Sequence, residues 1–199
     1  LTGRGLDVSS VNDQLTIFVL SYDSFKNKEG RKAYQENSAL MQLTDYQKAS
    51  GMAVDVEGAD DTALISALAG LQKLEYLDLS NNSISDLTAL SALLQLKELH
   101  LTNNPVTSLN NLKNCTELET LYAEQCTITR IAGLADHTKL QTLNLSNNQI
   151  SDISVLATCT ALQNVNISNN AVADIAVLAE LPSLVDLYAA NNKLTSFPT

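Results

Sequence analysis

Cysteine and basic residues are scarce in this sequence, and long apolar runs are absent from it. The three cysteines, Cys115, Cys126 and Cys159, are odd in number and lack the close spacing of metal ligands. This pattern argues against a disulfide framework and favours a reducing compartment. No window of about 18 uninterrupted apolar residues occurs, so we expect no membrane insertion from this sequence.

The shortage of basic residues gives the chain a strong negative charge. Twelve Lys and Arg oppose 22 Asp and Glu, for a net charge of −10. Residues 1–50 carry six side chains of each sign, so the whole acidic excess lies in residues 51–199. We expect no nucleic-acid binding, because neutralising phosphates requires clustered Lys and Arg. A basic or neutral protein partner fits better, although acidity also serves solubility alone.

What the sequence does contain is a leucine that returns every 22 residues, without insertion, along two thirds of the chain. A fixed period of this length is typical of a solenoid, in which one supersecondary unit stacks on the next. Solenoids usually present an extended surface rather than enclose a reaction. The recurring residues are Leu74, Leu96, Leu118, Leu140, Leu162 and Leu184.

Each repeat contains an alternating apolar and polar stretch, as in residues 76–80, which predicts a short strand with one buried face. Too little chain remains for a long α-helix, so a 3₁₀ or irregular return path is expected. Six strands are predicted, near 76–80, 98–102, 120–124, 142–146, 164–168 and 186–190. A polar column is expected to turn inward and satisfy backbone groups of the following turn. Its members are Asn82, Asn104, Cys126, Asn148, Asn170 and Asn192.

The motif L-x-x-L-x-L-x-x-N, as in Leu74 through Asn82, resembles that of the leucine-rich repeat family. The 22-residue form, with LSNNQISDISVLA from Leu145 to Ala157, is similar to bacterial internalins. An intracellular protein-phosphatase regulatory subunit also uses 22-residue repeats. The resemblance covers about 71–199 and implies a right-handed α/β solenoid. It further implies a parallel sheet on the concave face and a short 3₁₀ or irregular convex side.

The remaining part of the chain is expected to close the solenoid. Residues 1–50 contain no repeat and are predicted to form a helical N-terminal cap, because a solenoid end exposes its core unless it is covered. Residues 51–199 are predicted to hold one degenerate repeat, around Val54–Val56, and six clear ones. We expect the C-terminal end to be truncated or uncapped.

Side chains that leave the concave side of the predicted strands are the candidate binding residues. Neighbouring strands lie about 4.8 Å apart, so Asp78, His100 and Tyr122 are expected to form one row. Tyrosine is a favoured interface anchor, and the glutamates around this row suit a basic protein segment. The bland alternative is that these positions are merely solvated. The candidates are Tyr76, Asp78, Glu98, His100, Tyr122 and Glu124, here called the concave patch, together with Asn144, Asn166 and Tyr188.

Catalysis and metal binding are not expected. Asp78 beside His100 could orient a catalytic base, but an open sheet excludes no water, and a surface hydrogen bond between the two is the better prediction. Cys115, His137 and Cys159 share one column, yet the cysteines lie two repeats, about 10 Å, apart, too far for one Zn²⁺.

The repeat over residues 116–137 departs most from the others. Cys126 replaces an asparagine, Ala123 replaces a core leucine, and Arg130 stands where other repeats have aspartate. Function and drift explain such departures equally well.

Taken together, these features predict a non-catalytic, cofactor-free and monomeric module for protein–protein recognition through the concave face. The chain begins with Leu1 rather than Met, so we expect it to be part of a longer protein. The resemblance to internalins implies a bacterial protein that is secreted or held at the cell surface. Two alternatives stay open. One is a cytoplasmic scaffold resembling the phosphatase regulator, and the other is the docking arm of a larger enzyme.

Overall fold

Six parallel strands, one per 22-residue coil, form a single sheet in the computed structural model, which describes residues 74–195. The strands follow chain order across the sheet, so each coil adds one strand beside the previous one. Every pairing joins residues 22 apart, from Tyr76 with Glu98 to Asn166 with Tyr188. The strands are β1 (Tyr76–Asp78), β2 (Glu98–His100), β3 (Thr120–Tyr122), β4 (Thr142–Asn144), β5 (Asn164–Asn166) and β6 (Asp186–Tyr188).

The predicted strands are confirmed in position but are two residues shorter than expected. Backbone hydrogen bonds between coils nevertheless continue past each strand: Leu79 N–H donates to His100 O and Asn81 N–H to Thr102 O, both at 2.8 Å. The chain then turns at a residue with positive φ, 59° at Asn81. Asparagine tolerates this left-handed conformation better than most residues, which explains its recurrence one position before the inward asparagine column.

The predicted 3₁₀ return path is confirmed in four coils, and the fifth has one turn of α-helix. Aspartate begins several of these turns: Asp86 Oδ1 accepts from Thr88 N–H and Asp152 Oδ1 from Ser154 N–H, both at 2.8 Å. The Thr88 hydroxyl, which also donates to Asp86 Oδ1 at 2.6 Å, and then the Thr88 N–H lower the pKa of Asp86, and the Ser154 N–H and hydroxyl lower that of Asp152. The elements are η1 (Thr88–Ala92), η2 (Asn110–Asn114), η3 (Ala132–Leu134), η4 (Ser154–Thr158) and α1 (Ala176–Ala179).

One continuous apolar core runs along the solenoid between the sheet and the return segments. The central residue of β1 to β5 is fully buried, and so are the recurring leucines from Leu74 to Leu162. Because adjacent coils supply both walls of this core, no coil buries its apolar face alone. β6 is the last strand described, and its Leu187 is 38% exposed.

The inward asparagines join neighbouring coils, as the sequence predicts. Asn148 Nδ2 donates to Leu145 O at 3.0 Å within its own coil and to Ala123 O at 2.8 Å in the previous coil. Its Oδ1 accepts from Ile128 N–H at 3.0 Å. Cys126 takes the same place, but its thiol only approaches Leu101 O at 3.4 Å and Glu124 O at 3.5 Å.

The coil over residues 116–137 is irregular on its convex side as well. Its 3₁₀ turn has three residues instead of five, and Asp136 has a φ of 61°. Gly133 packs directly on the previous coil: a Cβ there would overlap Leu109 O and lie 2.6 Å from Asn110 Cα.

Several predictions fall outside the described residues. They are the helical cap over residues 1–50, the degenerate repeat around Val54–Val56, and the last positions from residue 196 onward.

Candidate partner-binding surface

The concave patch is assembled by three neighbouring strands. β1, β2 and β3 each bury their central leucine and leave the flanking side chains partly exposed on the opposite face. Register places Asp78 opposite His100 and His100 opposite Tyr122. The row that the 22-residue period predicts is therefore formed.

Three aromatic rings form a continuous ladder across this patch. The ring centroids of Tyr76 and His100 lie 5.4 Å apart, with an angle of 42° between the planes. Those of His100 and Tyr122 lie 4.8 Å apart at 33°. Both distances fall in the range of favourable aromatic pairs. Tyr76 reaches His100 diagonally, since its register partner is Glu98. Single columns of the 22-residue period do not predict this contact, although diagonal neighbours across strands are within reach of long side chains.

His100 takes its carboxylate partner from its own strand. Its Nε2 lies 2.7 Å from Glu98 Oε1, so the neutral ring donates to Glu98 when this nitrogen carries the proton. The predicted hydrogen bond between Asp78 and His100 is therefore wrong. Asp78 Oδ1 instead accepts from Ser80 N–H at 2.8 Å, because this short side chain meets its own backbone first.

Glu124 is held at the other side of the ladder. Thr102 Oγ1 donates to Glu124 Oε2 at 2.9 Å, and Asn144 Nδ2 donates to Oε1 at 3.1 Å. Glu75, at the edge of the patch, pairs with Lys97 Nζ at 2.9 Å. This lysine is the cation nearest in sequence to the patch, and it is already paired with a carboxylate.

The patch has a negative electrostatic character. The pKa of Tyr76 is raised, first because burial disfavours the phenolate and then because Asp78 and Glu98 repel it. Three carboxylates, from Asp78, Glu98 and Glu124, accompany three aromatic rings on one open face. Such a surface can attract a cation through both the carboxylates and the ring faces.

The other three predicted binding residues lie outside the aromatic ladder. Asn144 Oδ1 accepts from Ser146 N–H at 3.1 Å and Asn166 Oδ1 from Ser168 N–H at 3.0 Å, the same local bond that Asp78 makes. Tyr188 is 60% exposed on β6, and two strands separate it from Tyr122.

The column of Cys115, His137 and Cys159 is part of the core. All three side chains are fully buried, and each cysteine thiol donates to a carbonyl of the preceding coil at 3.2 Å. Burial raises the pKa of Cys115 and of Cys159 to about 11. His137 Nδ1 lies 3.1 Å from Ala135 O. Within residues 74–195, His, Cys, Asp and Glu form no group of three that could hold a metal ion.

A second concavity, which was not predicted from the sequence, lies on the flank of the irregular coil. It has a volume of about 300 Å³. In the other return turns an aspartate or, in one case, the hydroxyl of Ser108 accepts the N–H two residues later. Arg130 takes this place in the irregular coil and cannot accept a backbone N–H. The lining residues are Asn110, Thr129, Arg130, Ile131, Ala132, Asp152, Ser154 and Val155.

A sequence model of one family, described as Leucine Rich repeats (2 copies), matches the chain four times. The matches cover residues 72–114, 94–136, 116–158 and 138–182, and together they span more than half of the chain. A search of curated proteins found no match. Among the residues from 74 to 195, no helix has the length and apolar character needed to cross a membrane.

Solved structures with similar folds include two internalins from Listeria monocytogenes str. 4b F2365. The internalin inlF is 33% identical, with a TM-score of 0.63 over 65% of this chain and 38% of its own. Internalin C2 is 25% identical, with a TM-score of 0.50 over 76% of this chain and 83% of its own. The plant peptide hormone receptor RGFR1, solved in complex with RGF2, is 31% identical, with a TM-score of 0.57. That match covers 65% of this chain and 22% of the receptor, so the chain spans only part of inlF and of RGFR1.

Proposed function

Because the chain belongs to the leucine-rich repeat family, we propose that it is a non-catalytic module that binds a protein partner through the concave patch. The observation that carries the proposal is the ladder of Tyr76, His100 and Tyr122 on an open face. Tyrosine at an interface combines a large contact area with a polar tip and loses little conformational freedom. RGFR1, whose repeats share the fold, was solved with RGF2 bound, which supports recognition of a protein ligand.

The partner presents a basic segment to the patch. The side chains of Asp78, Glu98 and Glu124 are only partly buried, so solvent reaches all three. Lys97, the cation beside them, is engaged by Glu75. Lys or Arg side chains of a partner are therefore attracted to the patch. This attraction raises the association rate more than the affinity. Asn144, Asn166 and Tyr188 extend the contact along the sheet toward β6.

The module acts as a monomer in a bacterial protein that is secreted or held at the cell surface. Its similarity to two Listeria internalins supports this setting. Gel filtration of the 21.4 kDa chain tests the monomer, since elution at twice this mass would contradict it. Digestion of intact cells by an added protease tests the location, because a cytoplasmic protein would stay uncut.

The binding site is tested by capture of the partner from extracts of the native organism, with two variants compared to the wild type. The first combines Tyr76→Ala, His100→Ala and Tyr122→Ala. The matched control carries Lys113→Ala and Glu180→Ala, two exposed residues of the convex side.

A partner of this patch binds the wild type and the control and is lost from the triple variant. Circular dichroism of each variant establishes that the fold is retained. A partner that binds the triple variant as well as the wild type would show that the concave patch is not the site.

A further inference from the structure

His100 occupies the centre of the concave patch, in contact with an aromatic ring on each side. Its side chain is 22% exposed, so it exchanges protons with solvent while it stays packed in the ladder. Histidine is the side chain whose ordinary titration falls between pH 5 and 8. A proton added to His100 therefore places a positive charge at the centre of the patch.

The groups around His100 are two aromatic rings and three carboxylates. From β1 come the Tyr76 ring and the Asp78 carboxylate, and from β3 the Tyr122 ring and, beyond it, the Glu124 carboxylate. Glu98, on the same strand, already holds Nε2 at 2.7 Å.

An imidazolium in this position would use the same ring faces and carboxylates that attract an external cation. Both ring contacts lie within about 6 Å, the distance at which a cation interacts with an aromatic face.

We infer that protonation of His100 releases a cationic partner from the concave patch, so that the module binds the partner near neutral pH and releases it in mildly acidic conditions. This inference rests on the proposed function, because it concerns the same patch. With a neutral imidazole, the negative charges of Glu98 and Asp78 stay uncompensated, although Glu98 Oε1 is hydrogen-bonded to Nε2. A Lys or Arg of the partner can then approach these carboxylates and the two tyrosine rings. The imidazolium partly neutralises these carboxylates and interacts with the tyrosine rings itself. Its positive charge also repels the cation of the partner.

Linkage makes the effect reciprocal. If protonation of His100 weakens binding of a cation, then the bound cation must weaken protonation of His100 by the same factor. The two effects can be measured separately, and their agreement distinguishes this device from a general loss of folding in acid.

The experiment uses the whole chain and a defined cationic peptide, acetyl-Gly-Arg-Gly-Arg-Gly-Arg-amide, at low ionic strength, where screening is weak. We expect the dissociation constant to rise about fivefold or more between pH 7.5 and pH 5.5. In His100→Gln, whose amide can still donate to Glu98, affinity should be the same at both pH values. The control Lys113→Ala should keep the full pH dependence.

Proton NMR supplies the second measurement, since the chain has only two histidines and His137 is buried. Saturating peptide should move the titration midpoint of the His100 ring signal to lower pH by the amount that the affinities require. Equal affinity at both pH values, no affinity at pH 7.5, or a pH dependence that persists in His100→Gln would each overturn the inference.

The proposed function fails in a different way. It is wrong if the captured partner ignores the triple alanine variant, whatever the peptide does. A peptide that binds the patch equally at both pH values would leave recognition standing and remove only the pH control.

Discussion

Replacing Cys126 with asparagine should stabilise the solenoid, because the coil of Cys126 is the one described coil in which the inward asparagine is missing. In the equivalent places, Asn104 Oδ1 accepts from Ile84 N–H at 2.9 Å and Asn148 Oδ1 from Ile128 N–H at 3.0 Å. The corresponding donor at Cys126 is Val106 N–H, which has no hydrogen-bond acceptor among residues 74–195. Val106 itself is fully buried, so water does not readily replace that acceptor.

The expected gain follows from two bonds. Asparagine at position 126 supplies an acceptor for Val106 N–H, and its amide donates to Leu101 O in place of the weak thiol contact. A protein hydrogen bond contributes about 0.5–1.5 kcal/mol net, so the two predict a gain of about 1–3 kcal/mol. The larger side chain costs part of this if the coils must move apart.

Urea unfolding of the full chain, followed by far-ultraviolet circular dichroism, measures the change. The mirror variant, Asn148→Cys, should lose a comparable amount, because it creates the arrangement of Cys126 one coil further along. Thermal unfolding should move by about 2–4 °C per kcal/mol for a chain of this length. The reasoning is refuted if Cys126→Asn leaves the free energy of unfolding unchanged while Asn148→Cys lowers it.

Three further predictions concern the convex side and the core. Gly133→Ala should lower the free energy of unfolding by more than 1 kcal/mol, because its Cβ would overlap Leu109 O; a melting temperature equal to wild type would contradict this. Arg130→Asp should raise stability by about 0.5–2 kcal/mol by capping Ala132 N–H as Asp152 caps Ser154, and a loss in urea unfolding would argue against it. The three thiols should react slowly with iodoacetamide at pH 8, since burial raises all three pKa values, two of them to about 11, so that thiolate is scarce. Mass spectrometry should find full labelling only in denaturant, and rapid labelling of the native protein would show that the core opens.

The 22-residue period was sufficient to predict the sheet, because every coil solves the same packing problem. A leucine that returns at a fixed interval places the next strand in register, and the observed pairing of Leu77 with Leu99 follows directly. The inward asparagines were predictable for the same reason, since an amide has both the donor and the acceptor that a tight turn needs.

Features that depend on side-chain direction were harder to predict from the sequence. Whether His100 bonds to Asp78 or to Glu98 depends on the side-chain rotamers. In the structure His100 bonds to Glu98, while Asp78 accepts from Ser80 N–H. The diagonal contact of Tyr76 with His100 likewise depends on how far a ring leans across the strands. The aspartates that cap the return turns could have been recognised in the sequence. Asp86 and Asp152 each stand two residues before the residue whose backbone N–H donates to them.

Strict register has a consequence for how far apart two contact points on this surface can lie. Tyr122 and Tyr188 are separated by whole strands, and neighbouring strands are about 4.8 Å apart. Removing residues 138–159 would join equivalent positions of two coils and shorten this separation by one strand, without altering β1, β2 or β3. Deleting or inserting whole coils therefore changes the distance between two contact residues only in steps of one strand spacing.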